Sequence, residues 1–333
     1  DGTAITVSSS VNATEDIQIE LGVDAALLEG YNKKYEKNYL PAPESSYSLS
    51  SNTTVIKAGH NMSEAVDLTV NSTEEFKEGS TYCIPVTIRS TSAMKVLEAS
   101  RTLFVVLKTP VISKAIYLGS NIYRVDSFKQ ESSLAALPQV TMEARVYVES
   151  FASWDPYISS IMGIEGVFGV RFGDVKVSPN AVQICHDSYQ PAAESHKFDT
   201  NKWYHVAAVW SGSTFDIYID GQYATGVPVG GETINLTSDN SGGFYIGASY
   251  GGGRPLYGYI AEVRVWTRAL SQSEIANNMN YVDPQSEGLL AYWRMNAYEP
   301  REGGGNIVKD ETGHGHDAVG GANTPKMMDT KWL

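Results

Sequence analysis

The sequence predicts an all-β chain of two sandwiches, and three observations carry that prediction. Apolar residues recur at every second position in many short runs, the period of half-buried strands. Turn-forming pairs and glycines punctuate those runs, and only two short helix candidates interrupt them. A length of 333 residues also exceeds one ordinary domain, so two are expected.

The first unit is placed at residues 1–110. Ile17, Ile19, Leu21 and Val23 alternate with Asp16, Gln18, Glu20 and Gly22, the pattern of a strand with one buried face. Val66, Leu68 and Val70 repeat it, as do Tyr82, Ile84, Val86 and Ile88. Pro85 lies inside that last run and has no N–H to donate, which predicts a sheet edge or a bulge. A helix is expected from Ala25 to about Glu36, with Asp24 as its cap and Leu28, Tyr31 and Tyr35 on one face. Thr102 to Lys108 reads as the closing strand and Thr109-Pro110 as a linker. A small immunoglobulin-like sandwich accounts for these elements.

The second unit is placed at residues 111–333. Phe215, Ile217 and Ile219 point one way and Asp216, Tyr218 and Asp220 the other. Asp220-Gly221 then forms a two-residue hairpin turn, because both central positions of such a turn favour φ > 0. Ala261, Val263 and Val265 predict a buried face opposite Glu262, Arg264 and Trp266. Ser271 and Glu274 have the spacing of a capping box opening a short helix towards Met279. Leu289, Ala291, Trp293 and Met295 supply a further strand.

These stretches follow one another in an order that resembles a known family. Trp203 to Val209, Tyr218 to Gly221, Ile246-Gly247, Gly258 to Trp266, Ala269 to Ile275 and Gly288 to Trp293 look like the laminin G-like, concanavalin A-like lectin/glucanase domain. Asp310 to Asp317 is similar to that family's glycine-rich tail. Ile158 to Asp174 resembles a subgroup found in surface proteins of Bacteroidetes. In the first unit, Val23-Asp24, Leu28 to Asn32, Tyr39 to Pro41, Tyr47, Ile56 to Gly59 and Gly79 to Pro85 are similar to an N-terminal domain of uncharacterised function in the same lipoproteins. The resemblance implies a concanavalin A-like jelly roll in the second unit and a role in handling glycans. It also implies export, with an outer-membrane lipid anchor outside this sequence and display at the cell surface or in the periplasm. The partners it implies are an oligosaccharide or polysaccharide and other surface glycan-utilisation proteins, with membrane contact only through the anchor.

Bulk properties fit this expectation. The formal charge of −13 and the lack of a basic cluster argue against nucleic acid. No apolar run approaches the ~20 residues of a membrane helix, so a soluble chain is expected. It begins at Asp1 without a methionine or signal peptide, as a processed or truncated chain would. Cys83 and Cys185 fall in different units and read as two unrelated buried thiols.

A glycosidase on such a fold needs two carboxyl groups, ~5.5 Å apart for retention or ~6.5–9.5 Å for inversion. Enzymes of this fold commonly place them on one strand in a Glu-x-Asp-x-x-Glu-like cluster, and the second unit has none. Glu143 and Glu149 share a strand face but lie ~20 Å apart, and Asp216 and Asp220 ~14 Å apart. No nucleophile elbow, phosphate loop or His-Glu-x-x-His occurs either. No catalytic residue is assigned, and the expected function is non-catalytic glycan binding. The alternatives are a glycoside hydrolase with acids from separate loops and a protein-binding adhesion or scaffold module.

Sugar binding calls for aromatic faces beside a few fixed polar groups. Three loops supply them: Tyr250, Arg254 and Tyr257 among glycines; His186, Asp187 and Tyr189; and Trp154 with Tyr157. Trp203, Trp210, Trp266 and Trp293 lie on strands and read as frame. No cofactor is expected, apart from structural calcium as an alternative at Asp310 and Asp317. The plainer reading of that segment is a turn whose aspartates bond their own backbone.

Overall fold

A computed structural model describes residues 1–332, which divide into two compact units, Asp1–Pro110 and Val111–Trp332. In the first, strands Gly2–Ile5, Val66–Val70 and Tyr47–Leu49 form one sheet in that order. The second sheet runs Leu40–Pro41, Thr81–Thr91, Ile17–Val23, Thr53–Ile56, with Thr102–Lys108 paired to Thr81–Thr91. Ile17, Ile19 and Leu21 are buried with Ile56 and Val66, so the period-two reading fixes this core.

Two expectations fail in this unit. Thr81–Thr91 is the central strand, buried on both faces from Tyr82 to Thr87, and Pro85 is not at its edge. The proline is tolerated because of where it falls. On the side its carbonyl faces, Leu40–Pro41 pairs only with Tyr82 and Cys83, and Ile17–Val23 begins pairing at Val86. The Pro85 carbonyl accepts from Asp24 N, and no strand pairing requires a Pro85 N–H in that gap. The helix α1 spans Leu27–Tyr35, and Asp24 does not cap it. Its carboxylate instead accepts from Ala26 N at 3.1 Å, a local turn that competes with capping.

The second unit is two eight-stranded sheets packed face to face. The first sheet has the order Gln222–Pro228, Thr214–Ile219, Trp203–Trp210, Val140–Ser150, Tyr257–Trp266, Val111–Tyr117, Met327–Trp332, with Leu289–Trp293 beside Tyr257–Trp266. The second runs Val177–Cys185, Phe168–Asp174, Ser159–Ile164, Tyr245–Ile246, Tyr123–Arg124, Ala318–Gly320, Asn306–Val308, Glu299–Pro300. Val140, Met142, Ala144 and Val146 from one sheet meet Ile161, Phe168, Val170 and Phe172 from the other in the central core. The Asp220-Gly221 turn has φ of 48° and 73°, as the hairpin requires.

Tyr257–Trp266 departs from simple alternation. Glu262 has φ 53°, and the pairing with Val140–Ser150 slips between Glu143 and Arg145. This bulge puts Ala261 with Tyr259 and Trp332 on the outer side, while Val263 and Val265 enter the core. The predicted shared face of Ala261 and Val263 is thereby corrected. The outer face is not open to water, because the helix α2 (Gln272–Asn277) and the segment behind it cover it. Ile275, Leu270 and Val282 pack on Ala207, Val209, Trp266 and Tyr292. Ser271 and Glu274 form both bonds of the predicted capping box.

Candidate functional site

Strand register creates the site on the outer face of the second sheet. Ser160 pairs with Arg171, and Arg171 pairs with Gln183, so one polar row crosses three strands. In the neighbouring row Gly163 pairs with Gly169 and Gly169 with Cys185, a strip with almost no side chain. Gly163 has φ 113°, and a Cβ there would come within 2.4 Å of the Phe168 carbonyl oxygen, so only glycine suits. Ser160, Ser249, Glu165 and Arg171 line a shallow depression of about 10 Å³ over this strip, open to solvent. That is room for about one water molecule, far below the ~300–1,000 Å³ of enclosing ligand pockets, so a ligand could only lie across this surface and not within it.

Arg171 organises the cleft. Its side chain is almost wholly buried and donates from Nε to Gln183 Oε1 at 2.9 Å, from Nη1 to Glu165 Oε1 at 2.8 Å and from Nη2 to Asp174 Oδ2 at 2.6 Å. Arg254 Nη1 donates to the same Glu165 oxygen at 2.6 Å. Glu165 stands at the tip of the hairpin between Ser159–Ile164 and Phe168–Asp174, where two neighbouring loops fasten to it. Asn240 Nδ2 donates to the Glu165 carbonyl at 2.6 Å, and Asp187 N donates to the Gly166 carbonyl at 2.9 Å. Burial pushes the Cys185 thiol beneath this tip up to about 11, which keeps it protonated and unreactive.

The structure brings Tyr250 and Arg254 to this cleft, while Tyr257 opens a strand of the first sheet with Trp154 against it. Tyr250 is 64% exposed, and the Arg254 guanidinium lies 4.7 Å from its ring centroid. Both residues hold left-handed backbone, φ 48° and 53°, a strained conformation for side chains of this size. The Arg254 carbonyl accepts from Ser160 N at 2.9 Å, which ties the loop to the polar row. Trp154, 58% exposed, meets Tyr257 edge-on at 6.5 Å. Tyr157 is exposed on the same loop, and its N–H donates to the Trp154 carbonyl.

Others are drawn elsewhere. His186 is buried, and both its ring and that of Tyr189 pack on Phe215 at the sandwich core, 5.1 and 6.2 Å away. Of the three residues predicted there, only Asp187 is exposed, beside the cleft. At the C-terminal turn, Asp310 accepts from Tyr292 N, Thr312 N, His316 N and the Thr312 hydroxyl. Asp317 accepts from Asp310 N and Lys309 Nζ. Among the described residues, no three His, Cys, Asp or Glu side chains converge as metal ligands.

Sequence reasoning missed Ser160, Glu165, Arg171 and Ser249. The available signal was Arg171 inside an apolar run and Glu165-Gly166 at the tip of two such runs. Their meeting depends on register. Sequence reasoning also missed a second set of paired acids. On the outer face of the first sheet, Arg264 Nη1 donates to Glu143 Oε1 at 3.1 Å and Nη2 to Glu262 Oε2 at 3.2 Å. Trp266 Nε1 donates to Glu143, and the Tyr292 hydroxyl to Glu262. His205 Nε2 is 3.1 Å from Glu143 Oε2, off the direction of a hydrogen bond. Burial works to raise the Glu143 carboxyl, yet Arg264 and His205 beside it hold it down at about 2. Burial holds His205 below the usual imidazole value against the pull of Glu143. Arg264 and both glutamates are shut off from solvent, so this pair has no route to a substrate.

Comparison with known proteins agrees with this architecture. Residues 126–276 match the concanavalin A-like lectin/glucanases superfamily, and residues 1–95 match a family described as an N-terminal domain. No curated protein matches the chain. A Bacteroides ovatus protein proposed to bind carbohydrate is 26% identical with a TM-score of 0.66, the match covering 100% of this chain and 94% of that one. A heptameric SAP-like pentraxin from Limulus polyphemus is 15% identical over 63% of this chain and 95% of that one, with a TM-score of 0.41. A sialidase from Streptococcus pneumoniae is 14% identical over 50% of this chain and 27% of that one, with a TM-score of 0.36.

Proposed function

From a second unit that is a laminin G-like domain of the concanavalin A-like lectin/glucanase superfamily, we propose that this protein binds carbohydrate without cleaving it. The observation that carries the reading is the exposed Tyr250 ring, backed by Arg254, at the rim of the glycine-floored cleft. A pyranose has an apolar face for an aromatic ring and hydroxyls for fixed polar groups, and the cleft offers both. The match to a Bacteroides ovatus protein proposed to bind carbohydrate supports the same reading. Contact with one side of a small ligand is weak, so useful affinity is expected from repeated units along a polymer or from clustering of the protein.

The absence of cleavage is part of the proposal. Glu165 accepts from two guanidinium groups and Asp174 from one, so both are engaged as acceptors and neither is placed as a proton donor to a leaving group. The test is an array of immobilised glycans probed with the whole chain, beside an assay for new reducing ends on the glycans that bind. Binding without new reducing ends is expected, with Tyr250→Ala and Arg254→Ala each weakening it. Turnover abolished by Glu165→Gln or Asp174→Asn would falsify the non-catalytic reading. Capture of protein but of no glycan would replace it with an adhesion module.

A further inference from the structure

We propose that Glu165 sets this site for uncharged glycans by acting as a built-in counter-ion to both guanidinium groups that line it. The inference rests on the carbohydrate-binding reading and adds the class of sugar. A guanidinium is a planar fork of donors that matches a carboxylate or sulfate. Two such groups free in a cleft would make a receptor for uronates, sialates or sulfated sugars. Here Glu165 already takes one donor from each. Glu165 Oε1 receives Arg171 Nη1 at 2.8 Å and Arg254 Nη1 at 2.6 Å, and the other Arg171 donors go to Gln183 and Asp174.

The charge count points the same way. Two arginines are balanced by Glu165 and Asp174, which leaves no positive charge in excess at the site within a chain of formal charge −13. An arriving carboxylate must displace Glu165 or sit beside it, and rejection of an unwanted ligand by an unmatched like charge is an ordinary source of specificity. A neutral sugar meets no such barrier. Its hydroxyls can donate to Glu165 and Asp174, whose side chains are 15% and 24% exposed, while its apolar face covers Tyr250. Glu165 is thus a specificity-determining residue.

The experiment compares neutral oligosaccharides with uronate- or sialate-bearing ones of equal length, for the whole chain and for Glu165→Gln, at low and high salt. The wild type is expected to bind neutral probes and to bind acidic ones at least ~10-fold more weakly. Glu165→Gln keeps the side-chain shape, removes the negative charge shared by both guanidinium groups and should improve binding of acidic probes by ~10-fold, a gain that high salt removes. A wild type that prefers acidic probes overturns this inference and leaves carbohydrate binding standing. So does a Glu165→Gln protein with unchanged Tm and no gain. Where Glu165→Gln fails to fold, Asp174→Asn frees Arg171 Nη2 alone and must move the acidic probes in the same direction, or the inference falls. A wild type that binds neither class overturns carbohydrate binding and this inference together.

Discussion

The second unit clamps two arginines between two carboxylates each, on opposite outer faces of one sandwich. Arg264 lies between Glu143 and Glu262 beneath α2, with no solvent access to any of the three. Arg171 lies between Glu165 and Asp174 at an open cleft, where the acids retain partial exposure. The chemical unit is the same, so the cover decides what it does. Sealed, it is a polar core that must be complete, because removing one member strands charge in a dry place. Open, it holds acceptors in fixed positions where a ligand can reach them.

The largest expected difference is in stability. Arg264→Met strips the buried Glu143 of its guanidinium and leaves Glu262 with Arg294 alone, and should cost about 3–5 kcal/mol. Arg171→Met leaves acids that water can reach and should cost nearer ~2 kcal/mol. Urea unfolding of both variants measures the gap. Equal losses would mean that the open cluster is a second structural core, and the contrast drawn above would fail.

Acid should separate the two faces next. The Glu143 carboxyl lies at about 2 when folded and near ~4.3 in an unfolded chain, so the unfolded state binds more protons between those values. Its contribution to stability is therefore full above pH ~4.5 and is lost as pH falls towards 2. His205, held low by burial, adds a loss that begins higher, as pH falls through the ordinary imidazole range near ~6.5. His316, also lowered by burial, shares that slope. His205→Gln should flatten the fall in Tm between about pH 6.5 and 5 without altering glycan binding. A slope unchanged by that substitution would assign the whole effect to His316.

The open face is read through affinity. Tyr250→Ala combined with Arg254→Ala should weaken glycan binding ~10-fold or more, through loss of the ring and its cationic backing. Tm should move little, because Tyr250 is exposed and Glu165, on losing Arg254, keeps its bond from Arg171. Trp154→Ala should change binding by less than ~2-fold, since Trp154 packs on Tyr257, which opens a strand of the first sheet. An undiminished signal in the double variant would locate recognition on another surface.

Local signals in the chain were enough for the strands and turns. Ile17 to Leu21, Asp220-Gly221 and Ser271 to Glu274 adopt what their spacing dictates, because each depends on neighbours in sequence. What depends on partners across the sheet was not legible. The Glu262 bulge shifts a strand's phase by one residue, and no period can announce it. Glu143 and Glu262 are far apart in sequence, and Arg264 joins them through the pairing of adjacent strands. The site was half legible for the same reason. A loop rich in glycine with Tyr250 and Arg254 is visible as a candidate, but the Ser160–Arg171–Gln183 row exists only once three strands are in register. His186 and Tyr189 misled because a loop sequence does not reveal that Phe215 lies beneath it.

The smallest effect tests the cover itself. Ser271 accepts from Glu274 N and Glu274 reaches back to Ser271 N, which fixes the start of α2. Ser271→Ala should cost about 1 kcal/mol and lower Tm by roughly 2–4 °C for a unit of this size. The helix seals Glu143, Arg264 and Glu262, so the loss should grow as pH falls, when a looser cover admits protons to them. Glycan affinity should stay where it was, because α2 packs on the first sheet and the cleft is built on the second. A change in affinity would mean that the two faces communicate through the shared core, and the open cluster could no longer be treated as independent of the sealed one.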